Sequence, residues 1–168
     1  AARKLRGYRQ DHLSKVIGST QGTISKIENA TLIPDAGEWY LFCNKMNIDP
    51  DLTYSSGYVF SRVPIVNNNN FKLGKFKKVT DYVKVRSCIP FLNAIKDLGH
   101  YEEFLALMKK NKIDSDVFVV IDYQIPINIL QMLMDFLKSK AQLKKVVSIV
   151  SKCFSQEYEK IVGNRLFF

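Results

Sequence analysis

The sequence predicts a mainly α protein, and three observations carry that expectation. Apolar residues recur at spacings of three and four: Leu13 and Ile17; Trp39, Phe42, Cys43 and Met46; Leu143, Val146, Val147, Val150 and Phe154. That period belongs to helices with one buried face. Residues suited to helix ends fall between these stripes, namely Gly18, Thr20, Asp35 and the pair Asp49-Pro50. Segments with strand character are few. The clearest, VFVVI at 117–121, is equally a buried strand or part of a buried helix by periodicity alone.

A chain of 168 residues suffices for one ordinary domain or two small ones. Its 46% hydrophobic content supports a packed core and argues against wholesale disorder. No apolar run approaches the roughly 20 residues that cross a bilayer, so no membrane partner is expected. No signal-peptide pattern opens the sequence. The three cysteines, Cys43, Cys88 and Cys153, lie far apart and lack metal-type spacing. The expectation is a cytoplasmic protein with reduced cysteines and no bound metal. A net charge of +9 favours a polyanionic partner without choosing among DNA, RNA and a membrane surface. The charge is uneven. Residues 1–60 hold seven Lys+Arg against six Asp+Glu, whereas the remainder holds eighteen against ten. Any nucleic-acid contact by the first segment therefore depends on placement rather than bulk charge. Four of its seven bases, Arg3, Lys4, Arg6 and Arg9, cluster at the start.

Residues 10–17 predict a short helix with Leu13, Val16 and Ile17 on one stripe, closed by Gly18 as a left-handed C-terminal residue. Thr20 fits the N-cap of the next helix, from which Ile24 and Ile27 face the same core. Two short helices joined by a glycine turn form a helix-turn-helix unit, whose second helix can enter a major groove. Gln21, Gly22, Ser25 and Lys26 would then lie on its outer face, short or polar where an ordinary helix carries Glu and Lys. Further along, Asp35 with Glu38 has capping-box spacing before a helix that buries Phe42, Cys43 and Met46. Asp49-Pro50 supplies an N-cap followed by proline at the first helical position.

Residues 3–54 resemble the DNA-binding domain of the phage-repressor, or xenobiotic-response-element, family. The resemblance rests on Arg3 seven residues before Gln10, then Leu13, Gly18, Thr20-Gln21, Ile24-Ser25, Ile27-Glu28-Asn29, Pro34 and the apolar set from Trp39 to Ile48. It implies a five-helix, lambda-repressor-like DNA-binding domain. It further implies that Gln21, Gly22, Ser25 and Lys26 meet base edges, and that Arg9, Gln10, Thr20, Thr23 and Asn29 meet phosphate or sugar. Arg3 and Glu28 are implied as a structural pair. Side-chain chemistry agrees, because Gln reads adenine in bidentate fashion while Ser and Lys are less selective. Lys26 and Gln21 also admit a plain reading as solvated side chains, as does His12. Three departures stand out. Arg9 replaces the usual Ser or Thr cap before Gln10. Ala30 replaces the usual glycine after Glu28-Asn29, so a changed loop is expected, with Asn29 taking the left-handed position. The sequence also starts inside the expected first helix, which implies residues upstream.

The domain organisation expected is 1–59 for the helix-turn-helix domain, 60–78 for a linker and 79–168 for a helix-rich second domain with possible short strands. The linker rests on SRVPIVNNNN at 61–70, and FKLGKFKK at 71–78 could extend a DNA contact. In the second half, helices are expected around 91–98, 104–108, 126–140 and 143–154. His100 reads as a helix-end residue. No phosphate-cradling glycine loop, nucleophile motif or acid–base pairing appears, so neither an enzyme nor a cofactor is expected. The function these features support is a sequence-specific transcriptional regulator binding double-stranded DNA, with a C-terminal domain for homodimerisation or for sensing a small-molecule or protein effector. The alternative is an antitoxin-like or scaffold module whose helix-turn-helix binds protein.

Overall fold

Cap signals become helix boundaries in the computed structural model, which describes residues 1–65, 70–77 and 81–158. The chain divides into two compact units, Ala1–Phe71 and Lys72–Phe168, and the protein is mainly helical.

The first unit holds five short helices: α1 (Ala2–Leu5), α2 (Gln10–Ile17), α3 (Gln21–Glu28), α4 (Ala36–Lys45) and α5 (Pro50–Ser56). Asp35 accepts the Glu38 amide at 2.8 Å while Glu38 accepts the Asp35 amide at 3.0 Å, a reciprocal capping box that starts α4. Asp49 caps α5 through the amides of Asp51 and Leu52, ahead of Pro50 at the first helical position. Leu5, Leu13, Ile24, Phe42, Cys43, Met46 and Ile48 form the core.

Residues 60–78, expected as a linker, contribute structure wherever they are described. Phe60 is buried and its carbonyl accepts the Asp49 amide at 2.8 Å, and Ser61 bridges Ile48. Phe71 is buried in the first unit, and Leu73 bridges Ile113 in the second. Asn70 donates to the Leu5 carbonyl at 3.1 Å. The rest of the Asn tetrad, and Lys78 at the end of FKLGKFKK, lie outside the described residues. In the 3-10 turn Gly74–Lys77, Gly74 has φ +56, and a Cβ there would stand 1.9 Å from the Asn111 carbonyl oxygen. Only glycine allows that approach.

The second unit pairs β1 (Tyr82–Lys84) antiparallel with β2 (Gln124–Pro126), with Val83 opposite Ile125. Around this ribbon pack α6 (Ile89–Asp97), α7 (Tyr101–Lys110), α8 (Ile127–Lys140) and α9 (Leu143–Tyr158). VFVVI resolves into neither alternative. Residues Ser115–Val119 form a 3-10 turn, and Val117, Val120 and Ile121 drop into the core from irregular backbone. A run this apolar is buried whatever its backbone, because local hydrogen bonds satisfy the chain: the Val120 amide bonds Val117 and the Tyr123 amide bonds Val120. On α9 the buried residues are Val146 and Cys153, whereas Leu143, Val147 and Phe154 stay exposed. The apolar set is thus wider than the face α9 packs against α6.

Candidate nucleic-acid interface

The candidate interface is built on the turn between α2 and α3. Gly18 ends α2 at φ 70, ψ 32, a left-handed conformation that glycine adopts without steric cost. The Ser19 amide then returns to the Ser14 carbonyl at 2.8 Å. Thr20 caps α3 by accepting the Thr23 amide at 3.1 Å, and the two threonine hydroxyls share a hydrogen bond of 2.9 Å. Ile24 is 2% exposed and anchors the inner side of α3. Ser14, buried on the facing helix, ties its hydroxyl to the Asp11 carbonyl at 2.9 Å, so a polar side chain sits between the helices without an unmet bond.

With Ile24 turned inward, α3 leaves Gln21, Gly22 and Lys26 exposed and Ser25 half-buried. Gly22 has no internal steric reason to be glycine, since a Cβ there would find only the Thr20 hydroxyl at 3.7 Å, an ordinary contact. Asn29 reaches back toward the Ser25 hydroxyl at 3.5 Å, from the residue that closes the helix. Thr20 is exposed and Thr23 half-buried. Arg9 precedes α2 with no side-chain cap; its guanidinium lies 3.2 Å from Asp11 and its side chain is 86% exposed.

The α3 helix is held from below by Glu28. Arg3 grips this carboxylate with two donors, Nε to Oε1 at 2.6 Å and Nη2 to Oε2 at 3.0 Å, while its Nη1 donates to the Tyr8 carbonyl at 2.6 Å. Gln10 adds a third donor, Nε2 to Oε2 at 2.7 Å. Burial by itself pushes the Glu28 carboxyl up, but the Arg3 and Gln10 hydrogen bonds and the Arg3 charge outweigh it and hold the group below the usual carboxylate range. The Gln10 side chain, expected to bind phosphate, is thus turned to Glu28, because a carboxylate is the stronger acceptor within reach. Its backbone amide, one of the orphan donors of a helix start, is what remains for a phosphate.

Two bases of the N-terminal cluster are consumed inside the unit. Besides Arg3, Arg6 donates to the Met46 carbonyl at 2.6 Å, the Asn47 carbonyl at 3.1 Å and the Ser61 hydroxyl at 2.7 Å. Desolvation lowers its pKa from the usual arginine value. Sequence reasoning missed this role, since the partners lie 40 to 55 positions away. His12, expected to be merely solvated, stacks on Tyr8 with ring centroids 4.8 Å apart. Ala30, not Asn29, takes the left-handed conformation, at φ 55 against −91 for Asn29. The C-terminal turn requires that geometry at this place, and its Ala30 amide bonds the Ile27 carbonyl at 3.1 Å. In the second unit His100 gives α7 no side-chain cap; its ring meets Glu103 at 2.8 Å, and Glu103 also accepts from Lys140.

Among the described residues no cluster of His, Cys, Asp or Glu could hold a metal, and no helix is long and apolar enough to cross a membrane. Desolvation pushes the thiols of Cys43 and Cys88 up to about 11 and about 12, and such thiols are poor nucleophiles.

A helix capped at its start, clamped at its end and bare along one polar face, following a glycine-turned partner, defines a helix-turn-helix domain. In agreement, a helix-turn-helix family model matches residues 1–52, so the first unit carries a DNA-binding domain of the xenobiotic-response-element type. No curated protein and no solved structure matches the chain. This match supports a DNA-binding regulator of that type.

Proposed function

We propose that the protein is a sequence-specific transcriptional regulator that lays α3 in the major groove of double-stranded DNA. The observation that carries this reading is the outer face of α3, where Gln21, Gly22 and Lys26 stand exposed on a helix fixed at both ends. Gln21, Gly22, Ser25 and Lys26 would read base edges. Arg9, Thr20, Thr23, Asn29 and the Gln10 amide would position the domain on phosphate or sugar. Gly22, lacking any internal need for glycine, would let the backbone approach a base pair closely. The second unit would supply homodimerisation or effector sensing.

Selection of bound DNA from a random pool, followed by titration of the selected site, tests this. Gln21→Ala should cost about 1–3 kcal/mol and relax preference at one base position. Gly22→Ala should weaken the same complex while leaving the fold as stable or slightly more so. Unchanged affinity and preference in both variants would remove α3 from the interface. The antitoxin-like or scaffold reading draws on one observation, the near-neutral charge of residues 1–60 with Arg3 and Arg6 internally bonded. It requires affinity that barely changes with salt, whereas groove binding requires a steep fall.

A further inference from the structure

The largest concentration of exposed apolar side chains lies away from the bare face of α3. A groove of about 710 Å³ runs between the end of α3, the loop to α4, and the start of α5. Ile27, Leu32, Ile33, Pro34, Trp39 and Tyr54 line it. Ile33 is 88% exposed and Tyr54 82%. Single exposed apolar residues are ordinary, but a contiguous group around a concavity marks a contact surface. We propose that this groove seats the same groove of a second copy of the chain, which makes the first unit itself a dimerisation surface.

Three features select that occupant. The surface offers both halves of a self-complementary contact, a hole and two projecting side chains, Ile33 and Tyr54, beside it. A two-fold pair sets each copy's projections into the other's hole, as an isologous interface demands. The acidic groups on the rim are already engaged: Asp35 caps α4 through the Glu38 amide, and Asp51 accepts the Tyr40 hydroxyl. Both sit at helix starts, where the backbone dipole favours negative charge, so the groove does not call for a cationic peptide. Finally, Ile33 and Tyr54 point into solvent instead of enclosing the space, and a small-molecule site must bury most of its ligand.

The aromatic wall is set in advance. The Trp39 indole donates to the Pro50 carbonyl at 3.4 Å and meets the Tyr54 ring edge-on at 6.5 Å. Rigid Trp and Tyr side chains lose little freedom on association and rank among the residues that dominate interfaces. The use of such a dimer rests on the DNA-binding reading: a unit carrying a net charge of only +1 over residues 1–60 gains from a second copy joined beside α3, which doubles its phosphate contacts.

The test uses the full chain without DNA. Sedimentation velocity compares the native protein with Ile33→Asp and Tyr54→Asp, while circular dichroism checks that each stays folded. The native chain should self-associate, and each variant should raise the dissociation constant about tenfold or more. A bis-maleimide should cross-link two copies of the Ile33→Cys variant and not those of Lys15→Cys, since the native cysteines are buried. A monomeric native chain overturns the proposal. So does a dimer unmoved by both aspartates, which places the contact elsewhere, or equal cross-linking from position 15. Because no DNA is present, these failures leave the groove-binding reading standing, and failure of the Gln21 test leaves this result standing.

Discussion

The two units begin their helices differently. In the first, α3, α4 and α5 each start on a side chain that accepts backbone amides, and α2 and α5 each end on a left-handed glycine. In the second, α6, α7 and α8 start with no side-chain cap at all. What the second unit has instead is depth. Ile95, Val117, Val120, Ile121, Ile129, Leu133 and Leu137 are each 0% exposed. Short helices gain little from their own backbone and are marginal in isolation, so the first unit fixes its ends with local hydrogen bonds. Longer helices around a dry core are fixed by burial. The difference teaches where each unit is vulnerable: the first at helix ends and ion pairs, the second at its centre.

The largest effect that tests this contrast is Leu133→Ala on α8. Removing a fully buried side chain should cost about 3 kcal/mol in denaturant unfolding of the second unit, through lost transfer energy and the cavity left behind. A loss below about 1 kcal/mol would mean that the second core repacks freely, and that burial is not its organising force.

Next in size is the clamp under α3. Glu28→Gln removes the charge that Arg3 and Gln10 bind and should destabilise the first unit by about 1–2 kcal/mol. The pH dependence gives the sharper reading. The Glu28 carboxyl titrates lower in the folded protein than when unfolded. Its contribution is therefore fully present above the unfolded value, about 4.3, and is lost as pH falls through the lowered folded value. Native protein should lose first-unit stability below about pH 4 more steeply than Glu28→Gln. Parallel pH profiles would show that the clamp is indifferent to the charge.

The same contrast explains how much the sequence discloses. Gly18, Thr20, the Asp35–Glu38 box and Asp49-Pro50 act within five residues of themselves, so their types and spacing suffice to place helix ends. The second unit offers few such signals, and its helices are legible only as apolar periods. Those periods locate α8 and α9 but not the face of α9 that meets α6, because Leu143, Val147 and Phe154 satisfy the same spacing as Val146 and Cys153. Long-range roles are silent too. Nothing near Arg6 announces that its guanidinium will bind carbonyls of residues 46 and 47, so a basic cluster at the chain start reads as a phosphate patch. Glu28 draws Gln10 away from that use for the same reason. At the candidate interface, the exposed face of α3 follows from Ile24 being inside, and so lies within reach of pattern reasoning; the groove around Ile33 and Tyr54 does not, since it needs three separate segments brought together.

A smaller test concerns a single cap. Thr20→Ala removes the acceptor for the Thr23 amide and should cost about 1 kcal/mol, read as a lower midpoint for the first unit. A comparable loss on removing the His100 side chain from the start of α7, where no cap bond exists, would erase the distinction between the units.

The smallest effect runs in the opposite direction. Ala30 holds φ 55 at the end of α3, a backbone conformation that costs a residue with a Cβ roughly 1 kcal/mol and costs glycine almost nothing. Glycine also gives the unfolded chain more freedom, which offsets part of that relief. The net expectation for Ala30→Gly is a gain of a few tenths of a kcal/mol, up to about 1. The unit keeps its left-handed turn despite this strain because the Ala30, Thr31 and Leu32 amides all return to carbonyls of Lys26 and Ile27. The turn is thus set by the hydrogen bonds that close α3, and the residue at its corner only modulates the cost. A drop in stability for Ala30→Gly, measured by chemical unfolding, would show that the alanine methyl contributes packing in the groove it lines, and that this end of α3 is held by side chains after all.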